Sequence, residues 1–308
     1  MKLIADSGGT KTDWAVISGD GLSEIRTSGI NPIHQSKDEI RKILADELLP
    51  YIKFDKKVKE SKSLKVEKSK SLRVENSQTP QTSKEKVNIS DVFFYGSGCR
   101  GSFVGEMQSL FQELFSVAGN VEIDSDLLGA ARALCGRSEG IACILGTGAN
   151  SCYYDGVRIV KNTPAMGYIL GDEGSGAVLG RNFLNALFKG FLPESLKRRF
   201  CEENHTSLDD VIENVYKKPL ANRFLASLTV FVKEHIDVDG VRSIVIDNFR
   251  AFFLRNIKPY GMSHLPVNVI GGLACAFSEE FEAAAAMEGY RVGKIEQRPL
   301  KGLVDYHR

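Results

Sequence analysis

Seven residues near the amino terminus, Asp6-Ser7-Gly8-Gly9-Thr10-Lys11-Thr12, combine a carboxylate, two glycines, hydroxyls and one cation. Glycine lets a backbone approach a ligand closely and take positive φ without steric cost. Such a loop offers N–H groups to an anion, and Asp6 stands where it could hold a divalent metal at the loop's edge. On this stretch alone two readings stand: an anion-binding loop, or an ordinary hairpin in which Asp6 caps the turn. It is not the Gly-x-x-x-x-Gly-Lys-Ser/Thr loop, which runs directly into a helix. Here Thr12–Ser18 reads as a strand entering an Asp20-Gly21 hairpin. About 140 residues on, Gly146-Thr147-Gly148-Ala149-Asn150 repeats the grammar of strand, Gly/Thr loop, strand and hairpin. Two such loops imply two similar halves facing each other, and they favour the anion reading.

Three further places carry chemistry. Asp126 stands where a strand turns into an Ala- and Leu-rich helix, as a helix cap or as a carboxylate presented at a strand end. Gly171-Asp172-Glu173-Gly174-Ser175 sets two adjacent carboxylates among glycines at a helix start; acidic capping against the helix dipole accounts for one carboxylate. Gly271-Gly272, between the strand Asn268–Ile270 and an alanine-rich helix reaching Met287, would let a backbone approach a flat ring or a phosphate.

The elements that must position these residues are strands at 2–6, 12–18 and 22–28, then a helix opening at Ser36 with Glu39 as its capping-box partner. Next come a strand at 91–95, a helix at 102–117, a strand at 121–124 and a helix at 127–135. Asn31 precedes Pro32, which favours an extended loop and leaves its amide free to hydrogen-bond. The pattern βββαβα demands helices covering a sheet. Residues 56–88 differ in kind, with ten Lys or Arg against four Glu and an eight-residue duplication of Lys62-Ser63-Leu64-Lys65-Val66-Glu67. Such a segment buries too little apolar area to offset its ordering entropy and reads as a flexible, solvated insertion.

The 308 residues suit two domains, and 43% apolar with 26% charged residues is the composition of a globular protein. Forty basic residues against 39 acidic ones leave no global field for nucleic acid or a membrane. No run approaches a membrane span, and no signal peptide shows. Six scattered cysteines without a Cys-x-x-Cys pair point to a reducing cytoplasm.

Together these motifs resemble the sugar kinase, heat-shock ATPase and actin superfamily, in the branch holding N-acetylglucosamine kinases and BadF/BadG-type ATPases. The resemblance covers nearly the whole chain outside 56–88. It implies an α/β fold of two ribonuclease-H-like lobes with a nucleotide cleft between them: residues 1–120, then 121–297, with the tail 298–308 packing back on the first. It implies ATP and Mg²⁺ as cofactors, Asp6 holding the metal through water, and Gly8, Gly9, Thr10, Lys11 and Thr12 with Gly146, Thr147 and Gly148 gripping the phosphates. Gly271 and Gly272 would meet the adenosine. Asp126 would accept the proton of a sugar hydroxyl, with Asn31, Asn150 and Asp172 on the substrate. The implied reaction is phosphorylation of an amino sugar, foremost N-acetylglucosamine at its 6-hydroxyl, by a homodimer. Ala149 stands where relatives commonly carry serine, and Met166-Gly167-Tyr168 where some of them carry tryptophan.

Two rival readings follow from the same motifs. A BadF-type activator of a 2-hydroxyacyl-CoA dehydratase needs converging cysteines for an iron–sulfur cluster, and Cys135 and Cys275 lack such a setting. A sugar- or nucleotide-binding regulator lacking turnover is disfavoured, since no helix-turn-helix pattern is read ahead of Met1-Lys2.

Overall fold

The computed structural model describes residues 1–19, 21–52 and 86–308. Two compact units divide the chain, Met1–Asp126 and Leu127–Arg308.

The first unit is built on β1 (Lys2–Ser7), β2 (Lys11–Ser18) and β3 (Gly21–Ser28), an antiparallel meander. Its first helix, α1 (Lys37–Lys42), starts at the expected capping box. The Ser36 side chain accepts from the Glu39 N–H, and the Glu39 side chain accepts from the Ser36 N–H. It runs on through a π-helical segment, Ile43–Leu48. A short strand β4 (Val87–Ile89), then β5 (Asp91–Gly96), helix α2 (Ser102–Leu114), β6 (Phe115–Val117) and β7 (Val121–Ser125) complete the unit. The order β3-β2-β1-β5-β7 puts β5 and β7 parallel to β1. Trp14, Phe94 and Phe111 pack ring to ring at the core's centre, 5.7 to 6.2 Å apart.

The second unit opens with α3 (Asp126–Cys135), whose first residue closes the first unit. It continues through β8 (Gly140–Leu145), β9 (Ala149–Tyr154), β10 (Ile159–Thr163), the single turn α4 (Gly167–Leu170) and α5 (Gly176–Phe188). Five helices follow: α6 (Glu194–Glu203), α7 (Leu208–Tyr216), α8 (Ala221–Ser227), α9 (Thr229–Glu234) and α10 (Val241–Phe252). Strand β11 (Val267–Ile270), helices α11 (Gly272–Ala276) and α12 (Ser278–Met287), strand β12 (Val292–Glu296) and helix α13 (Leu300–His307) end the chain. Its sheet runs β10-β9-β8-β11-β12, with the same sequence of antiparallel and parallel pairings as the first. The chain therefore carries one sheet topology twice. The glycine loops after β1 and β8 fall at equivalent corners.

Four expectations need correction. The helix read over 102–117 stops at Leu114, because Phe115–Val117 pairs with Val87–Ile89 as a parallel ribbon. The basic stretch at 56–88 lies outside the described residues as far as residue 85, and at its end Val87 and Asn88 belong to β4. The alanine-rich helix is broken at Phe277. The tail, expected on the first lobe, is a helix of the second unit, with Gly302 against the Ala133 backbone. No described helix is long and apolar enough to cross a membrane.

Candidate active site

Parallel pairing of β1, β5 and β7 lines up Asp6, Tyr95 and Asp124 across three strands and leads directly to Asp126 at the head of α3. Antiparallel pairing on the other side sets Asp13 opposite Asp6, and Asp13 is held by Arg26 at 2.6 Å. Burial pushes the Asp6 carboxyl up to about 7; the Asp126 and Asp13 charges add to the rise and the Lys11 ammonium opposes it. A carboxylate raised by burial first and by like charges second favours a cation beside it.

Between its unfolded value of 3.8 and about 7 the native carboxyl keeps a proton that the unfolded chain has lost. Stability of the metal-free protein therefore falls as pH rises through that window. Asp6→Asn is expected to melt several degrees above wild type at pH 8 in a chelator, and the gap should close at pH 4. Differential scanning calorimetry at the two pH values checks this; equal melting at pH 8 would remove the electrostatic argument.

The first glycine loop is closed by the Gly8 N–H donating to the Lys11 carbonyl (3.0 Å). Gly9, Thr10 and Lys11 are exposed. Thr12 has its side chain inside the protein. It is fully buried, its hydroxyl shares a 2.7 Å hydrogen bond with Ser7 Oγ, and it donates to the Ser28 carbonyl. Ser7 Oγ also bonds both the N–H and the carbonyl of Ile30. These hydroxyls tie the loop to the segment after β3, where Gly29 was missed by sequence reading. A Cβ on Gly29 would lie 2.7 Å from the Thr10 nitrogen and 2.8 Å from the Gly9 carbonyl carbon.

Asn31 follows in the same segment. Its Oδ1 accepts from the Ile33 N–H (3.0 Å), its own N–H donates to Gln35 Oε1 (2.7 Å), and the positive φ of Gly98 brings that backbone against its carboxamide. Neighbouring Cys99 has its thiol pushed up to about 12, by burial first and then by the charges of Asp126 and Asp124. Asn31, the Gly98-Cys99 turn and Asp126 thus gather at the carboxyl ends of β5 and β7. Gly98, Cys99 and Asp124 carried no signal in sequence, since only strand register brings them there.

In the second unit the Gly146 N–H donates to the Gly148 carbonyl (3.0 Å), closing the loop between β8 and β9. The first N–H groups of α5 are spent on this loop, from Gly176 to the Gly146 carbonyl (2.8 Å) and from Ala177 to the Thr147 carbonyl (3.2 Å). The Thr147 and Gly148 N–H groups enter no backbone hydrogen bond among the described residues. Asp172, at φ 55°, accepts from the backbone N–H groups of Gly167 and Ala149. Burial still raises its pKa, against those two hydrogen bonds. Its Oδ2 lies 3.0 Å from where a Gly148 Cβ would stand, so this carboxylate braces the second loop. Asn150 Oδ1 is bonded by the Ser151 N–H and by Asn162 Nδ2.

Gly146, Thr147, Gly176 and Gly272 line one cavity of about 510 Å³, with Lys233 and Phe277 on its wall. This volume is in the range of small-molecule sites. Two predicted motifs, the second loop and the Gly-Gly turn, meet here. Lys233 and Phe277 were not foreseen, because only the fold brings α9 and the break between α11 and α12 to this wall. The cysteines have a different part: Cys143 and Cys152 are buried and burial raises both thiols, so they pack as small hydrophobes. Among the described residues no three or more His, Cys, Asp or Glu side chains form a ready metal cage.

No family model matches the chain, and no curated protein does. Solved structures do. A Porphyromonas gingivalis protein provisionally named N-acetylglucosamine kinase is 40% identical, with a TM-score of 0.83 over 100% of this chain and 98% of its own. A Chromobacterium violaceum protein with the same provisional name is 18% identical, with a TM-score of 0.68 over 100% and 98%. MreB 5 of Spiroplasma citri shares the fold at 9% identity and a TM-score of 0.52, over 99% and 94%. At 40% identity over its full length, the chain belongs to the N-acetylglucosamine kinase family of the actin-like ATPase superfamily and is a sugar kinase.

Proposed function

We propose that the chain transfers the γ-phosphoryl group of ATP to the 6-hydroxyl of N-acetylglucosamine, giving the 6-phosphate and ADP. The observation that carries this reading is the full-length 40% identity to the Porphyromonas gingivalis protein. Two features support it, a carboxylate cluster around Asp126 in the first unit and a glycine-walled cavity at Gly146 and Gly272 in the second. Phosphoryl transfer asks mainly for positioning and charge neutralisation.

In this reading the Asp126 carboxylate takes the proton of the sugar hydroxyl as that oxygen bonds to the γ-phosphorus and the bond to ADP breaks. Asn31 orients a neighbouring hydroxyl through its carboxamide. The exposed loop Gly8–Lys11 and the Thr147 and Gly148 N–H groups hold phosphate oxygens, without the Thr12 hydroxyl. Adenosine lies along Gly272, with Gly271 shaping the turn. Asp172 and Asn150 act on the substrate side through the loops they brace. The carboxylates around Asp6 fit Mg²⁺, which binds through one or two protein carboxylates, waters and phosphates and needs no all-protein cage. When bound, that metal neutralises charge on the phosphates.

A coupled ADP-release assay over amino sugars and plain hexoses tests the reading. The highest kcat/KM is expected for N-acetylglucosamine, and absence of sugar-dependent ADP release would overturn it. Gly29→Ala tests the phosphate grip. Backbone atoms must yield to the new Cβ, an overpacking of about 1–3 kcal/mol, and the loop will shift. A rise in KM for ATP of about tenfold or more is expected, with kcat at saturation less affected. An unchanged KM would show that Gly8–Lys11 does not hold the nucleotide.

A further inference from the structure

A second cavity of the Leu127–Arg308 unit, about 400 Å³, shares no lining residue with the glycine-walled cavity. It is walled by the last turn of α3, the residues just after it, the strand β12 and the start of α13. Its cations are Arg132, Arg137, Lys294, Arg298 and Lys301, against the carboxylates of Glu296 and Asp305. Asp305 is already paired with Arg308 at 3.5 Å. Arg137, Lys294 and Lys301 enter no ion pair among the described residues. The cations are also held in place. The Arg132 and Arg137 guanidinium carbons stand 5.1 and 4.7 Å from the centroid of one ring, Tyr306. Lys294 Nζ donates to the Leu134 carbonyl at 2.9 Å.

Like charges gathered around a concave wall repel one another, and holding them there favours an anion that gathers them. Planar guanidinium groups fixed on an aromatic face, with ammonium groups lining the same cavity, match a phosphoryl group. We infer that this cavity binds a phosphoryl dianion, free or carried on a small molecule, at a site separate from the glycine-walled cavity. The source of the dianion is open between inorganic phosphate and a sugar phosphate.

Isothermal titration at low ionic strength, where exposed charge interactions are least screened, tests this on the full chain. Inorganic phosphate and glucose 6-phosphate are titrated separately into wild type and into the double variant Arg137→Glu, Lys301→Glu. Wild type is expected to bind at least one probe at millimolar concentration or below, and the double variant at least about tenfold more weakly, as loss of charged hydrogen bonds implies. Equal affinity for phosphate and glucose 6-phosphate would identify the bare anion as ligand; preference for glucose 6-phosphate would identify a sugar phosphate. Unchanged affinity in the double variant, or no binding of either probe to wild type at 10-fold above the millimolar range, would overturn the site. Both residues are exposed, so melting within a few degrees of wild type is expected. If the double variant fails to fold, the single substitutions Arg137→Gln and Lys301→Ala carry the same test.

Discussion

Asp126→Asn is expected to lower turnover by about 10²–10⁴-fold, the range for loss of a general base, while nucleotide affinity and melting temperature stay close to wild type. The reason lies in what each role requires of the side chain. As a residue of the first turn of α3, Asp126 interacts favourably with the helix dipole, a contribution of about 0.3–1 kcal/mol. Asparagine keeps the shape and loses only that modest charge term. As a base, the side chain must accept a proton from the sugar hydroxyl, and a carboxamide cannot. The two roles therefore separate in a paired measurement of kcat and thermal unfolding. A large fall in kcat with little change in melting identifies the base, whereas near-wild-type kcat with lowered melting would leave Asp126 a helix-start residue. A second signature comes from the neighbouring carboxylate. The Asp126 charge contributes to the raised Asp6 pKa, so the variant should shift the titration of Asp6 downward. In a chelator, the loss of stability as pH rises above 3.8 should then end at a lower pH and be smaller than in wild type.

Gly271→Ala is expected to cost about 3 kcal/mol or more of stability and to lower the melting temperature by roughly 6–12 °C at the slope of a domain this size. Gly271 sits at φ 139° and ψ 152°, backbone that only glycine adopts readily. A Cβ there would overlap the Leu145 carbonyl oxygen and lie within 2.7 Å of its carbon. The Gly271 N–H is committed to the Glu296 carbonyl at 2.9 Å, so the turn cannot simply rotate away. Leu145 immediately precedes the Gly146 loop, so strain there displaces one wall of the cavity, and nucleotide affinity should fall with stability. Gly272 provides the internal comparison. It begins α11, and a Cβ on it would meet nothing within 4 Å. Gly272→Ala should therefore leave unfolding within about 1 kcal/mol of wild type, while weakening a nucleotide that needs close approach to that backbone. Urea unfolding and nucleotide titration of both variants separate the two glycines. Equal destabilisation by both, or by neither, would contradict the geometry.

The order of motifs along the chain was legible because each motif is local. A capping box needs only Ser36 and Glu39 three residues apart, and it forms as the spacing predicts. The alternation of strands and glycine loops announced two similar halves, and the repeated sheet order bears out that duplication. Strand β12 escaped notice because Val292–Glu296 is a mostly exposed edge strand, with β11 as its one strand neighbour among the described residues and no buried alternation to mark it. Likewise, Phe115–Val117 continues the apolar pattern of α2, and only pairing with Val87–Ile89 draws it into a strand.

For the site, sequence alone determined which residue types were on offer: a carboxylate beside a glycine loop, a second loop of the same kind, an aspartate at a helix start, and a Gly-Gly turn. Tertiary structure decided which of them remain available for chemistry. Thr12 looked like a phosphate donor until Ser7 and Ser28 took up its hydroxyl. Gly29 gave no signal in sequence, and its missing side chain makes room for the Gly8–Thr10 backbone. Asp6 acquired its raised pKa from burial and from Asp126 and Asp13, the first of them 120 positions away in sequence. Hydroxyl bonding, steric room and the sum of nearby charges depend on distance in space, which strand register sets and sequence separation does not.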